Sequence, residues 1–194
     1  MRRLLLILIL TFNFQTLTRA DEINDYVVEN FSVGDSLLNF YSYNKIKEKI
    51  NSKTTFWYPN NAYASILVKS KDFKVYDEVG IVINTKDDKF IIHSIEGTFN
   101  YQSNIDACYK KQDIITADLK DTFSLSAEFQ TYKVKYKWDK SGKSISNYDE
   151  FIFSDGSAIR VICYDMDEDF VDPNDQLYLA INSKKFMNYL ITLE

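Results

Sequence analysis

The chain has one histidine, two prolines, five glycines and two cysteines among its 194 residues. Each scarcity removes a class of function. His93 alone cannot build a histidine-rich zinc site, and neither a His-Glu-x-x-His run nor a thiolate cluster is present. With so few glycines there is no glycine-rich phosphate loop, so nucleotide chemistry is not expected. Pro59 and Pro173 stand alone, no Ser/Gly-rich segment marks a linker, and no internal repeat is visible, which predicts one domain. Arginine occurs only at Arg2, Arg3, Arg19 and Arg160, and 28 acidic residues outweigh 23 basic ones. Such a chain has little with which to neutralise a phosphate backbone, so no nucleic-acid partner is expected.

Long apolar runs are also missing, apart from Leu4 to Leu10. That stretch is shorter than the roughly 20 residues a membrane-spanning helix needs. It follows Arg2 and Arg3 and precedes Thr18-Arg19-Ala20, with small residues at the −3 and −1 positions before Asp21. The order reads as a secretory signal over residues 1–20, leaving a mature domain of residues 21–194 without a transmembrane span. A periplasmic or secreted location follows.

The remaining pattern predicts an α+β domain, a mainly antiparallel sheet of about six or seven strands with two or three helices packed on one side. Residues 35–50 read as helical with a break near Ser42, and Ile46 and Ile50 share a face. Residues 51–61 read as a loop. Strands are expected over 63–69, 74–85 and 90–96, with a polar turn at 86–89. Asn104 is a good N-cap for a helix carrying Ile105, Cys108, Ile115, Leu119 and Phe123 at helical spacing. Residues 132–138 alternate lysine with Val134, Tyr136 and Trp138, as a half-buried strand does. Residues 147–153 and 158–164 flank an Asp155-Gly156 turn, the strongest hairpin signal in the chain. A strand over 176–181 and a short helix capped by Ser183 complete the pattern.

Two cysteines in an exported chain invite a disulfide. Cys108 sits on the apolar stripe of its helix, and Cys163 shares a strand face with Ile159 and Val161. Both thiols therefore point into the helix–sheet interface. The alternative is two buried free thiols. Without a Cys-x-x-Cys pair, a catalytic redox role is not expected.

Four stretches invite chemistry. Gly34-Asp35-Ser36-Leu37 matches the nucleophile block of GDSL-type esterases. That family needs an Asp-x-x-His near the C-terminus, whereas here the one histidine, His93, lies in an apolar strand with Phe90 three residues before it. A serine without a base is a poor nucleophile, and the block reads better as a helix entrance capped by Asp35 or Ser36. The acidic run at 165–175 contains Asp165, Asp167 and Asp169 as candidate calcium ligands. An EF-hand is excluded because Phe170 and Gln176 occupy its glycine and final glutamate positions. A looser calcium loop and a solvated acidic loop both stay open. The lysine–aromatic mix at 133–143 reads as a solvent-facing strand that resists edge pairing. Finally, Phe56, Trp57 and Tyr58 form a recognition-patch candidate in the loop before Pro59, with burial under the core as the other reading.

The stretches SVGDSLLNFYS, HSIEGTFNYQSNIDACYKKQDIITADL and FIFSDGSAIRVICYD together resemble small exported proteins of marine alphaproteobacteria related to Pelagibacter. That family carries no assigned activity, and the resemblance implies a Gram-negative periplasm. A short helix begun by glycine and followed by antiparallel strands is similar to envelope lipoprotein and β-lactamase-inhibitor-like binding modules, although the lipoprotein cysteine is lacking. The expected function is a non-enzymatic exported module, without cofactor, that binds an envelope protein or a small ligand. The second reading is a periplasmic hydrolase acting through carboxylates that linear sequence does not single out.

Overall fold

Side-chain alternation builds this molecule as a sheet with two inner faces. The computed structural model describes residues 23, 26–71, 73–170 and 173–193. The signal segment expected over residues 1–20 lies outside these, as does Asp172 in the acidic run.

A two-residue ribbon, β1 (Val27–Val28) with β2 (Phe31–Ser32), opens the described chain. Gly34 then adopts φ +93°, a conformation open to glycine. Ser36 caps a 3-10 turn, Leu37–Asn39, its Oγ accepting from the Leu38 amide at 3.2 Å and donating to the Lys89 carbonyl at 2.6 Å. Helix α1 (Tyr43–Ile50) starts at the Ser42 cap, where the sequence predicts the break, and buries Ile46 and Ile50.

Strands β3 (Phe56–Trp57), β4 (Tyr63–Val68), β5 (Glu78–Asn84) and β6 (Ile92–Gln102) form a first antiparallel meander. Helix α2 (Ile105–Phe123) crosses over, capped by Asn104 accepting from the Ala107 amide at 3.1 Å. A second meander follows, made of β7 (Ala127–Lys135), β8 (Ile145–Phe153), β9 (Ala158–Asp165) and β10 (Asp175–Asn182). It joins the first through β10 alongside β6, giving one eight-stranded sheet ordered β3-β4-β5-β6-β10-β9-β8-β7. Helix α3 (Lys184–Ile191) begins at its Ser183 cap.

The expected α+β architecture is present, with eight strands in the main sheet. The added strand is β3, because residues 56–57 pair with Ser65 and Ala64 instead of forming a loop. Strand β6 runs on to Gln102, well past residue 96, and β7 begins at Ala127, five residues before the predicted start.

One face of the sheet carries the main core. Ile66 and Val68, Ile81 and Ile83, Ile95, Leu177 and Ile181, Val161 and Phe151 meet α1, α2 and Leu37 there. Cys108 and Cys163 are bonded across this interface, tying α2 to β9. Beside the disulfide, Gln112 is buried and fully used. It donates to the Asn147 and Val161 carbonyls at 3.0 and 2.9 Å and accepts from the Asn147 amide at 2.8 Å. Ile115, predicted to sit on the buried stripe, is only half-buried, whereas Gln112 and Thr116 are buried. Helix α3 lies on the opposite face, where Phe186 packs with Tyr63 and Val82 in a separate small core.

Candidate functional site

The second face of the sheet is only partly covered. Each added strand twists the sheet by roughly 20–25°, and eight of them curl it until its two edges approach. Phe56 in edge strand β3 and Trp138, just past the opposite edge strand β7, stand 6.4 Å apart in an edge-on contact. Lys137 Nζ donates to the Leu193 carbonyl at 2.9 Å, and Tyr189 Oη donates to the Pro59 carbonyl at 2.7 Å. These contacts leave a trough of about 710 Å³ over the face away from α1 and α2. That volume falls in the range of small-ligand sites.

Register defines the floor. One row across the sheet reads Leu67, Gly80, Glu96, Ala180, Arg160, Glu150 and Gln130. The next reads Glu78, Thr98, Tyr178, Ile162, Tyr148 and Tyr132. Tyr58, Tyr136, Tyr148, Tyr164 and Tyr178 line the trough, together with Phe56, Phe170 and Phe186. Tyr164 and Tyr178 meet edge-on at 5.0 Å, as do Tyr58 and Phe186 at 5.1 Å.

Two glutamates on this floor have opposite circumstances. Glu150 is saturated, accepting from Arg160 Nε at 2.5 Å, Gln130 Nε2 at 2.6 Å and Tyr132 Oη at 3.2 Å. Glu96 has no cation. Its Oε1 accepts from Tyr58 Oη at 3.2 Å and its Oε2 from Ser65 Oγ at 3.3 Å. Among the described residues no lysine or arginine ion-pairs with it. What surface Glu96 keeps opens into the trough. Desolvation raises its pKa above the ordinary glutamate value, against the opposing pull of the Tyr58 and Ser65 hydrogen bonds.

The space for that carboxylate comes from Gly80. A Cβ there would lie 2.9 Å from both Glu96 Oε2 and Ser65 Oγ, inside any real contact distance. Ala180 flanks Glu96 on the other side. Glu78, diagonal to Glu96, is turned to Lys69 at 2.5 Å. Asn182, also lining the trough, accepts from Ser94 Oγ at 2.7 Å through Oδ1 and leaves its buried Nδ2 without a hydrogen-bond partner. Such a group costs free energy in a finished fold and clusters at functional sites.

A stability consequence follows with a definite sign. Raising the folded pKa of a carboxyl gives stability that is full below the unfolded value near 4.5 and is lost as pH rises through the folded value. Glu96→Gln keeps the shape without the charge. Its melting temperature should exceed that of the parent by a few degrees at pH 8 and match it at pH 4. Equal melting temperatures at both pH values would remove the desolvation argument.

The residues singled out in the sequence are distributed unevenly around this site. Phe56 and Tyr58 line the trough, while Trp57 alternates to the outside of β3, 40% exposed, and does not. Ser36 is engaged with backbone groups on the far side of the sheet. His93 is buried, its Nδ1 3.2 Å from Ser183 Oγ and its ring 5.4 Å from Tyr63, so it is held by a polar contact inside the fold. Burial and the nearby Lys185 lower its pKa. Asp167 and Asp169 face Lys143 Nζ at 3.3 and 3.2 Å, and Asp165 ends β9. Among the described residues no group of three or more potential metal ligands gathers, and no helix is long and apolar enough to cross a membrane.

Glu96, Arg160, Gly80 and the trough tyrosines other than Tyr58 are not singled out by sequence. A signal was present for one of them: Arg160 interrupts the otherwise apolar run from Ala158 to Tyr164. No protein-family model, curated protein or solved structure matches the chain.

Proposed function

We propose that the protein is a non-enzymatic binding module that takes a small ligand into the tyrosine-lined trough. The observation that carries this reading is the trough itself: about 710 Å³, walled by aromatic rings, over a floor whose charged side chains are largely tied up in ion pairs and hydrogen bonds. The second reading, a hydrolase using carboxylates, needs another acid free beside Glu96. Glu78 is committed to Lys69 and Glu150 to Arg160, which favours binding. We further propose action in the periplasm or outside the cell, as the leader pattern of residues 1–20 suggests. The Cys108–Cys163 bond is compatible with such an oxidising compartment.

An uncharged fluorophore, N-phenyl-naphthylamine, tests the trough directly. Its emission should rise on binding, and Ala180→Leu, which pushes a larger side chain up from the floor, should weaken it roughly tenfold, about 1.4 kcal/mol. Tyr178→Ala, which removes a wall without filling the floor, should weaken it too. Thermal melts verify that both variants fold. No binding to the parent, or unchanged binding in both folded variants, would end the reading.

A further inference from the structure

We infer that the trough's ligand is an organic cation, an alkylated ammonium group seated between Glu96 and the tyrosine faces. This deepens the binding reading and rests on it. The charge pattern of the floor carries the argument. Arg160 is neutralised by Glu150, and Glu78 by Lys69, so both pairs present little net charge. Glu96 has no lysine or arginine partner among the described residues. An anionic ligand would find no free positive group on the floor and would be repelled whenever Glu96 ionises.

A cation meets the opposite conditions. Its charge completes the pair that Glu96 lacks, and burying a charge becomes tolerable once it is paired. The surrounding rings add to this, because the face of a tyrosine attracts a cation within about 6 Å, more strongly when water is excluded. Tyr58 donates to Glu96 itself, and Tyr178 and Tyr164 are close enough for the Glu96 charge to help raise their hydroxyl pKa values beyond what burial does. Carboxylate and rings thus share one part of the trough. Gly80 lets the Glu96 carboxylate lie over the floor, and Ala180 on its other side keeps a large side chain off the space a bulky head group would fill. The lysines at the mouth, Lys135 and Lys137, are exposed, and water and salt screen them. Alkyl groups on the nitrogen suit this site because the wall offers aromatic surface in place of many hydrogen-bond acceptors.

A matched pair of probes decides it. Benzyltrimethylammonium and its uncharged carbon isostere neopentylbenzene have nearly the same shape, so their affinity ratio reports the charge alone. Each is measured by displacement of N-phenyl-naphthylamine from the parent protein. The cation should bind about tenfold more tightly than the isostere, and Glu96→Gln should bring the ratio close to one. A ratio near one in the parent, or the parent's ratio retained in Glu96→Gln, overturns the inference. If the fluorophore binds and neither probe displaces it, the cation assignment falls while the trough reading stands. If the fluorophore does not bind either, both fall. Should Glu96→Gln fail to fold by thermal melt, the parent ratio alone decides.

Discussion

Replacing Cys108 and Cys163 together by alanine is expected to lower the melting temperature by roughly 10 °C. The bond joins residues 55 apart in sequence, and closing a loop of that length removes about 4 kcal/mol of chain entropy from the unfolded state. For a domain of this size each kcal/mol moves the midpoint by about 2–4 °C. The bond is also well placed mechanically. It holds α2 against β9 at a point where both sulfurs are fully buried, next to the Gln112 bonds that need the same register. Each single alanine variant should lose about as much as the double, because either one breaks the bond. Thermal melts of oxidised parent, reduced parent and the three variants check this. A loss under about 1 kcal/mol on both reduction and double replacement would show that the α2–β9 packing holds without the link.

The second large effect is expected at Arg160. Its side chain is 16% exposed and that of Glu150 only 3%, so Arg160→Met strands a carboxylate in the sheet with Gln130 and Tyr132 as its remaining donors. Breaking one side of a buried pair costs about 3–5 kcal/mol, whereas replacing both sides by apolar groups is close to neutral. Arg160→Met should therefore be far less stable than the parent, and Arg160→Met with Glu150→Met should regain most of the loss. Urea unfolding of the four proteins in a double-mutant cycle measures the coupling. Single variants no worse than the double would mean that the pair is screened by trough water.

The local rules were readable wherever one residue has one conformational job. Asn104 and Ser183 start their helices as capping residues do, and the Asp155-Gly156 turn joins β8 to β9 with Gly156 at φ +88°. Cys108 and Cys163 could be paired because each lay on a recognisable apolar stripe. What resisted was every consequence of the second inner face. Read from sequence, β6 ends at residue 96 because Glu96, Gly97 and Asn100 look like a strand's end, although Glu96 faces the trough and the Tyr76 ring occupies the space beside Gly97. Strand β3 is not legible because two residues carry too little period to recognise. The floor could not be assembled from sequence at all. Gly80, Glu96, Ala180 and Arg160 are separated by long stretches of chain and become neighbours only through the register of four strands.

The strand order also constrains the timing of folding. The two meanders are each local in sequence, yet they share a seam at which β6 must wait for β10. Until Asp175–Asn182 arrives, β6 and β9 present open edges that invite the wrong partners. Closing so distant a pairing is entropically slow. The latest in sequence of the eight strands is therefore the central strut of the sheet, and the trough floor exists only after its insertion.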